Sequence, residues 1–307
     1  SITGLNSFVF QGCDLSACKN FDLSNITFIK WSVFANTKFN KDAVLTIPKS
    51  LTSTDGYNDW FPAFNGTTIY HLKFEDGITT LPNYLFMNAI IVDPDFTLKD
   101  TTITSIKEKV FSGADLSACP DFDLSFVLQD LNNSFANTKF NEDTILTIPK
   151  TLTNCYEPFN GIVINHIQIE DGMTALPNTL FKYATINDPS FVLPSSLTTI
   201  GDNTFEGTNI SVCKNLSFEN ITSIGNYTFK NTDLSTLKDF NLPTNLQYIG
   251  DNAFEKTTFK QNMVLTIPKT LTNCGNSPFN GQSFNNILYQ DGITVIANKL
   301  FQNCTID

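Results

Sequence analysis

The chain has 307 residues, of which 41% are hydrophobic and 16% charged, as in an ordinary folded protein. Its formal net charge is −11 and every basic residue is Lys, which argues against nucleic acid as a partner because phosphate binding needs a basic face. The excess of acidic residues also argues against binding to anionic membrane surfaces. No apolar run approaches the roughly 18 residues that a membrane-spanning helix needs. The N-terminal "SITGLNSFVF" lacks the charged-then-apolar pattern of a signal peptide.

Phenylalanine recurs at nearly constant intervals along the whole chain. Thirteen of the 28 Phe residues are 22 to 30 residues apart, and most gaps are 24 or 25. We call these the grid Phe: Phe10, Phe34, Phe64, Phe86, Phe111, Phe135, Phe159, Phe181, Phe205, Phe229, Phe254, Phe279 and Phe301. A fixed period of this length predicts one continuous solenoid over residues 1–307, with about thirteen stacked turns of roughly 24 residues. The widest gap contains a local insertion at 54–62, which carries Trp60.

Each turn carries the same order of elements. Five residues after the grid Phe stands an apolar residue, and a tripeptide of the form apolar–x–apolar follows, such as "FDL" at 21–23 and "LTI" at 45–47. This alternation predicts a short strand with its central side chain outward. A Pro or an "EDG"-like turn signal comes next. Before the grid Phe, Asp202 and Asp251 are predicted to cap one helical or 3₁₀ turn.

Two phrases carry a resemblance to a known family. "LPSSLTTIGDNTFEGTNI" and "LPTNLQYIGDNAFEKTTF" resemble the leucine-rich repeats of the BspA-like class, and the pattern extends over essentially the whole chain. The resemblance implies a leucine-rich-repeat solenoid with a parallel sheet on its concave face and short helical or 3₁₀ segments on the convex side. Such proteins are known mainly from the surfaces of anaerobic bacteria and parasitic protists, where adhesion is the usual role. The family has no catalytic residues to carry over.

Longer blocks are also duplicated. "LTIPKTLTNC" occurs at 146–155 and 265–274, and a near-copy begins at Leu45. Because several turns were copied together, we interpret this phrase as a strand with its exit bend. The two histidines, His71 and His166, hold equivalent places four turns apart, about 19 Å at the spacing of stacked strands, so they cannot share a metal or act as a pair.

The central residues of the tripeptides form the candidate binding face. The strand pattern directs these side chains outward, where a polar and mildly acidic surface without aromatic anchors results. Val192 and Leu288 are its apolar members. The polar members are Asp22, Thr46, Lys73, Thr97, Asp123, Thr147, Gln168, Ser217, Asn241 and Thr266. The alternative reading is a merely solvated sheet.

The seven cysteines are predicted to be mostly buried free thiols. Cys18, Cys119 and Cys213 stand eight residues after a grid Phe, in a core position, and Cys155 and Cys274 are too many turns apart for a disulfide. Only Cys13 and Cys18 are close enough in sequence to consider as a pair. The spacing offers no zinc motif, so we predict no metal and no cofactor.

Acidic pairs and glycosylation sequons complete the candidates. Calcium is disfavoured at Glu75–Asp76, Glu170–Asp171, Asp93/Asp95 and Asp121/Asp123, because neighbouring turns lack matching acids for six to eight oxygen ligands. N-glycosylation is predicted only if the protein passes through a eukaryotic secretory route. The sequons are Asn25, Asn65, Asn132, Asn209, Asn215, Asn220, Asn226 and Asn303.

Both ends of the chain stop within a turn without a polar cap, which predicts either a longer array or protomers that stack head to tail. Taken together, the sequence predicts a non-enzymatic cell-surface or secreted module that binds a protein or glycan ligand. The alternatives are a structural protein whose ends polymerise and an intracellular, cytoplasmic interaction scaffold.

Overall fold

The computed structural model describes residues 2–54, 61–99, 101–120, 122–124, 131–238 and 240–306. Most of the predicted insertion at 54–62 therefore lies outside the described residues. The chain divides into two compact units, one formed by residues 1–149 and 157–165, and the other by residues 150–156 and 166–307. Each unit is a stack of turns that pair through short parallel strands, and we describe the two units separately. A single continuous solenoid over residues 1–307 stays a prediction.

In unit 1 the strands are two to four residues long and fall into three columns. The first column precedes the grid Phe: Gly4–Leu5, Phe28–Ile29, Ser53–Thr54, Thr80–Leu81, Ser105–Ile106 and Leu131–Asn132. The second follows it: Asp14–Leu15, Lys38–Phe39, Thr68–Ile69, Ile90–Ile91, Asp115–Leu116, Lys139–Phe140 and Val163–Ile164. Tripeptide strands form the third: Leu45–Ile47, Leu72–Phe74 and Ile145–Ile148. Six strands of the second column, from Asp14–Leu15 to Lys139–Phe140, form one parallel sheet.

Unit 2 has the same three columns of strands, but its largest sheet lies in the first column and not in the second. Its first column is Cys155–Tyr156, Ala175–Leu176, Thr199–Ile200, Ser223–Ile224, Tyr248–Ile249 and Asn273–Cys274, and the last five form one parallel sheet. The second column contains Thr185–Ile186, Ser283–Phe284 and Thr305–Ile306. The tripeptide column contains His166–Ile169, Val264–Ile267 and Asn286–Tyr289.

The grid Phe form the core of each unit, as the period predicts. In unit 1 the rings of Phe111 and Phe135 stack with centroids 5.5 Å apart and an interplanar angle of 6°. In unit 2 the rings of Phe205 and Phe229 stack at 5.6 Å and 3°. These four side chains are at most 1% exposed. Because one turn alone could not bury such a ring on both faces, stacking stabilises every turn through its neighbours.

The backbone around the grid Phe is a pair of tight turns. In the Phe205 turn, the N–H groups of Glu206 and Thr208 donate to the carbonyls of Asn203 and Phe205 at 3.1 Å each, while the N–H of Phe205 donates to the next turn at Thr228 (3.0 Å). No described residue lies in an α-helix or 3₁₀-helix, so the predicted helical segments are not confirmed. The reason is a left-handed residue on each side of the Phe, such as Asn203 (φ 56°) and Gly207 (φ 62°), because such a residue interrupts a right-handed helix.

Position +2 after the grid Phe carries a sequence signal for this geometry. It has positive φ throughout the thirteen turns; six of these residues are Gly and five are Asn, the types that adopt this conformation most readily, and Tyr183 and Lys256 are the others. Three residues after the Phe, a Thr hydroxyl donates to the Phe carbonyl of the preceding turn. Examples are Thr138 to Phe111 and Thr208 to Phe181, at 2.7 Å each. The Thr residues of this position therefore satisfy buried carbonyls in addition to being small enough for the space.

A ladder of amide and carboxylate side chains runs through unit 2, three residues before each grid Phe. It consists of Asn178, Asp202, Asn226, Asp251 and Asn276. Each side-chain oxygen accepts the backbone N–H of the next member, at 2.8, 2.7, 2.7 and 2.6 Å in that order. Asp202 and Asp251 therefore bond between turns and cap no helix, so that prediction is wrong. The sequence pattern that suggests a cap, an Asp before an apolar run, is the same for both roles.

Candidate binding face

The ten polar side chains of the candidate binding face all lie at the surface. Asp22, Thr46, Lys73, Gln168 and Ser217 are exposed, and the remaining polar members are half-buried: Thr97, Asp123, Thr147, Asn241 and Thr266. Pairing confirms their common position where two tripeptide strands adjoin. Thr46 stands opposite Lys73 in unit 1, and Thr266 stands opposite Leu288 in unit 2. Their role in binding stays a prediction.

The tripeptides form strands in only half of the turns. Those at 45–47, 72–74, 146–148, 167–169, 265–267 and 287–289 are strands, whereas those at 21–23, 96–98, 122–124, 191–193, 216–218 and 240–242 are not. A side chain of a non-strand turn then replaces the backbone of a missing neighbour. Asp93 accepts the N–H of Leu72 at 2.8 Å, and Asp188 accepts the N–H of Ile167 at 3.0 Å. The prediction of one strand per turn is therefore too simple.

These two aspartates stand beside the histidines and two buried cysteines, but the arrangement is structural. His71 Nδ1 lies 3.9 Å from Asp93 Oδ1, beyond hydrogen-bond distance. Burial, followed by the charges of Asp93 and Asp115, raises the pKa of the Cys119 thiol to about 12. Burial and then Asp188 raise the pKa of Cys213 to about 11. A thiol with such a pKa stays protonated near neutral pH and is a poor nucleophile.

Asp188 itself is held as a carboxylate in its turn of unit 2. Burial alone would raise its pKa, but the Ser190 hydroxyl, the amides of Ile167 and Ser190, and the charge of His166 together lower the pKa below the usual Asp value. The Ser190 hydroxyl and amide donate to Asp188 at 2.6 and 2.9 Å. The carboxylate is thus fully occupied in capping a strand and closing a turn, which leaves little capacity for acid–base chemistry.

The acidic pairs considered for calcium have other partners. Glu75 accepts the N–H of Lys49 at 2.9 Å, and Glu170 accepts the N–H of Lys150 at 2.8 Å. In the third copy, Gln290 makes the same contact with Lys269 at 2.9 Å, so a neutral amide suffices. Asp121 lies outside the described residues. In the part of the chain that the structure describes, no group of three or more His, Cys, Asp or Glu side chains could hold a metal ion.

The cysteine of "LTNC" bonds to the next turn. The thiol of Cys155 donates to the carbonyl of Asn178 at 3.3 Å, and that of Cys274 donates to the carbonyl of Asn298 at 3.0 Å. In the near-copy, the hydroxyl of Thr54 donates to the carbonyl of Asn83. The repeated phrase is therefore structural, as interpreted from the sequence. Cys13 and Cys18 are separate thiols in the structure, and their pairing stays a prediction.

The sequons differ in the freedom of their side chains. Five of the asparagines are exposed: Asn25, Asn209, Asn215, Asn220 and Asn303. Three are half-buried: Asn65, Asn132 and Asn226. The side-chain nitrogen and oxygen of Asn226 both belong to the unit-2 ladder, where they bond to Asp202 and to the N–H of Asp251. Modification at Asn226 would break this ladder, whereas glycosylation of the exposed sequons stays a prediction.

An open groove of about 540 Å³ lies along part of the candidate face in unit 1. Among its lining residues are Phe21, Asp22 and Leu23 from a non-strand turn, and Val44 and Thr46 from the strand turn that follows. Asp42 and Glu75 add negative charge at its rim, and Lys19 adds one positive charge. The volume lies within the usual range for small-ligand sites.

An exposed aromatic cluster, which was not predicted from the sequence, lies outside the tripeptides. Trp31 and Phe61 stack with ring centroids 5.9 Å apart, and Phe8 packs edge-on against Phe61 at 5.9 Å. These three side chains are 39%, 38% and 44% exposed in that order. Their signal is their position: Trp31 and Phe61 occupy the place, three residues before a grid Phe, where unit 2 has its polar ladder.

The stacked parallel turns, the buried Phe columns and the outward tripeptides define a protein of the leucine-rich-repeat class. The model of the BspA type leucine rich repeat region matches the chain at residues 27–155, 61–187, 124–235 and 222–307. The chain therefore belongs to the BspA-type leucine-rich-repeat family. Proteins of this type are typically surface or secreted bacterial proteins that bind other proteins, and they are not enzymes in general.

Solved structures of leucine-rich repeat proteins match the chain at low sequence identity. A leucine-rich repeat protein from Bacteroides ovatus is 13% identical, covering 100% of this chain and 87% of its own, with a TM-score of 0.31. One from Eubacterium ventriosum is 16% identical, covering 99% and 81%, with a TM-score of 0.33. No curated protein matches the chain. None of the described segments forms a helix with the length and apolar character needed to cross a membrane.

Proposed function

We propose that the protein is a non-enzymatic cell-surface or secreted adhesion module, and that its tripeptide face binds a protein or glycan ligand. One observation carries this proposal: all ten polar residues of that face are exposed or half-buried at one repeated position. Other polar columns, such as the Thr hydroxyls and the Asn/Asp ladder, serve bonds between turns, as Asn241 of the face also does. Within each unit, stacked turns that repeat one outward position offer an extended surface for a ligand.

The chemistry of the face supports binding of modest strength through many contacts. Its members are hydroxyls, amides and a few charges, which suit hydrogen bonding more than deep apolar burial. Such contacts contribute little individually, so binding gains strength when several turns engage together. The family supports this proposal, because its members typically act at surfaces.

The test is binding to arrays of immobilised extracellular-matrix proteins and glycans, with Lys73→Glu as the variant. Lys73 is an exposed member of the face, so charge reversal is expected to weaken capture of the bound ligand at least about tenfold without changing the unfolding midpoint. Lys260→Glu is the matched control, because Lys260 is exposed outside the tripeptides. The proposal is contradicted if no array member binds, or if both variants bind like wild type.

A further inference from the structure

The strand Leu45–Ile47 has one paired edge and one open edge. On the paired edge, the N–H of Leu45 donates to the backbone carbonyl of His71 at 2.8 Å, and the carbonyl of Ile47 accepts the N–H of Glu75 at 2.9 Å. Because alternate peptide groups of a strand point to opposite edges, the N–H of Thr46 and the carbonyl of Val44 point the other way. That other edge adjoins the groove, which both residues line.

The equivalent edge in unit 2 is closed by a side chain. The carboxamide oxygen of Asn241 accepts the N–H of Thr266 at 3.0 Å, and its nitrogen donates to the carbonyl of Val264 at 3.0 Å. Thr266 and Val264 are the counterparts of Thr46 and Val44 in the duplicated turns. The carboxamide thus supplies both bonds that a neighbouring strand would make.

Asp22, the counterpart of Asn241, bonds elsewhere. Its carboxylate accepts the N–H of Ser24 at 2.8 Å and the Ser24 hydroxyl at 3.1 Å. A carboxylate also lacks the donor that the carbonyl of Val44 requires. In unit 2 the residue corresponding to Ser24 is Pro243, which has no N–H to compete for the side chain. The motif "FDLS" at 21–24 therefore leaves the edge of the following strand open, whereas "FNLP" at 240–243 closes the equivalent edge.

We propose that the groove beside Thr46 binds a primary carboxamide, presented by an Asn or Gln side chain of an extended segment in a partner polypeptide. Among the described residues, no protein group bonds to the N–H of Thr46, so the edge offers a donor next to an acceptor. Asn241 shows which chemical group complements this pair. The volume of about 540 Å³ accommodates the flanking residues of a peptide as well as the amide itself.

The charge and polarity of the groove restrict which side chains a partner can present there. A carboxylate in place of the amide would face the carbonyl of Val44 and the acidic rim at Asp42 and Glu75 without donating a proton, so acidic side chains are rejected. An alkyl side chain would displace water from both backbone groups and leave them without hydrogen-bond partners. This inference rests on the proposed binding role of the tripeptide face, because the groove is part of that face.

The test uses ¹⁵N-threonine-labelled protein, with the Thr46 resonance assigned through Thr46→Ser. The probes are three peptides capped by acetyl and methylamide groups: Gly-Asn-Gly, Gly-Asp-Gly and Gly-Ala-Gly. Because their backbones are identical, the comparison isolates the side chain. We expect a saturable shift of the Thr46 amide with the Asn peptide, and a response at least about tenfold weaker with the other two. Equal responses to the Asn and Ala peptides, or no response to any, would overturn the proposal.

Two matched motif exchanges make the test specific. Asp22→Asn with Ser24→Pro installs "FNLP" in unit 1 and is expected to abolish the Thr46 response. Asn241→Asp with Pro243→Ser installs "FDLS" in unit 2 and is expected to create a response at Thr266. Because the second exchange is expected to create a binding response, it stays informative even if the first exchange destabilises its turn in unit 1. A Thr266 resonance that remains unresponsive in the folded second variant counts against the proposal.

The outcomes also separate this inference from the proposed function. If the array ligand is lost on Lys73→Glu but Thr46 does not respond to the Asn peptide, the face binds its ligand and the carboxamide site is wrong. If Thr46 responds but no array ligand is found, the groove chemistry stands and the adhesion proposal fails.

Discussion

The position three residues before the grid Phe is polar in unit 2 and aromatic in part of unit 1. In unit 2, Asn and Asp side chains accept one backbone N–H from each following turn. In unit 1, Trp31 and Phe61 stack at the surface instead. The difference shows that a repeat can keep its Phe core while this position changes between a hydrogen-bonded ladder and an exposed apolar pair. Stability and surface chemistry are therefore separable in this fold.

Glycine makes room for the ladder between successive turns of unit 2. A Cβ at Gly225 or Gly250 would lie 2.5 or 2.6 Å from the side-chain oxygen of Asp202 or Asn226, respectively. The glycine before each of the last four ladder members therefore makes room for the acceptor of the preceding turn. Trp31 follows Lys30, so its turn lacks this glycine. The pairs "GD" and "GN" are thus the sequence signature of the ladder.

The largest change in stability is expected when a buried core ring of unit 2 is removed, compared with an exposed ring of unit 1. Phe229 is 1% exposed and stacks on Phe205 and Phe254 at 5.6 and 5.3 Å. Phe229→Ala should lower the free energy of unfolding by about 3–5 kcal/mol, because a buried ring leaves a cavity. Phe61→Ala, the control at an exposed ring, should cost about 1 kcal/mol or less. Guanidinium unfolding measures both, and equal losses would contradict the distinction.

A smaller effect is expected where the ladder meets its glycines. In Gly250→Ala the new Cβ would lie 2.5 Å from the backbone nitrogen of Asn226, so the turns must move apart. We expect a loss of about 1–3 kcal/mol in the free energy of unfolding. Gln247→Ala, an exposed position of the same turn, is the control and should change little. If both variants unfold like wild type, close approach of the turns does not explain the glycine.

The smallest effect concerns the charge of the ladder. The Asn276 amide, followed by the Asn276 side chain, lowers the pKa of Asp251 below its usual value, through bonds of 2.6 and 3.1 Å. Because the folded pKa lies below the unfolded one, this stability is present above the unfolded pKa and is lost as pH falls through the folded pKa. Asp251→Asn should therefore reduce the loss of stability between neutral pH and pH 3, measured by urea unfolding. Asp291→Asn, in an exposed turn, is the control. Identical pH profiles for wild type and Asp251→Asn would contradict this role.

Much of the fold follows from the sequence because the core is periodic. The grid Phe, the apolar residue five places later and the turn signals predict stacked parallel turns, which the structure shows in each unit. The backbone conformation around the grid Phe is harder to predict from the sequence, because an Asp before an apolar run is typical of a helix cap as well as of a ladder. Gly or Asn at position +2 could have indicated the left-handed residue that interrupts a helix.

The candidate face was only partly predictable. The outward direction of Thr46 or Thr266 follows from alternation in the tripeptide. Whether the strand beside it has a partner depends on one side chain in the preceding turn, and on whether that side chain has a nearer donor, as Asp22 has in Ser24. The difference between "FDLS" and "FNLP" was visible in the sequence, but its consequence for the strand edge appears only in three dimensions.

The most direct test of this account compares amide hydrogen exchange at Thr46 and Thr266. Both residues stand at the centre of the same tripeptide, so local sequence has little influence on the comparison. The N–H of Thr266 donates to Asn241 at 3.0 Å and should exchange slowly, whereas that of Thr46 faces the groove and should exchange at least about tenfold faster. Equal protection of the two amides would contradict an open strand edge in unit 1 and a closed one in unit 2.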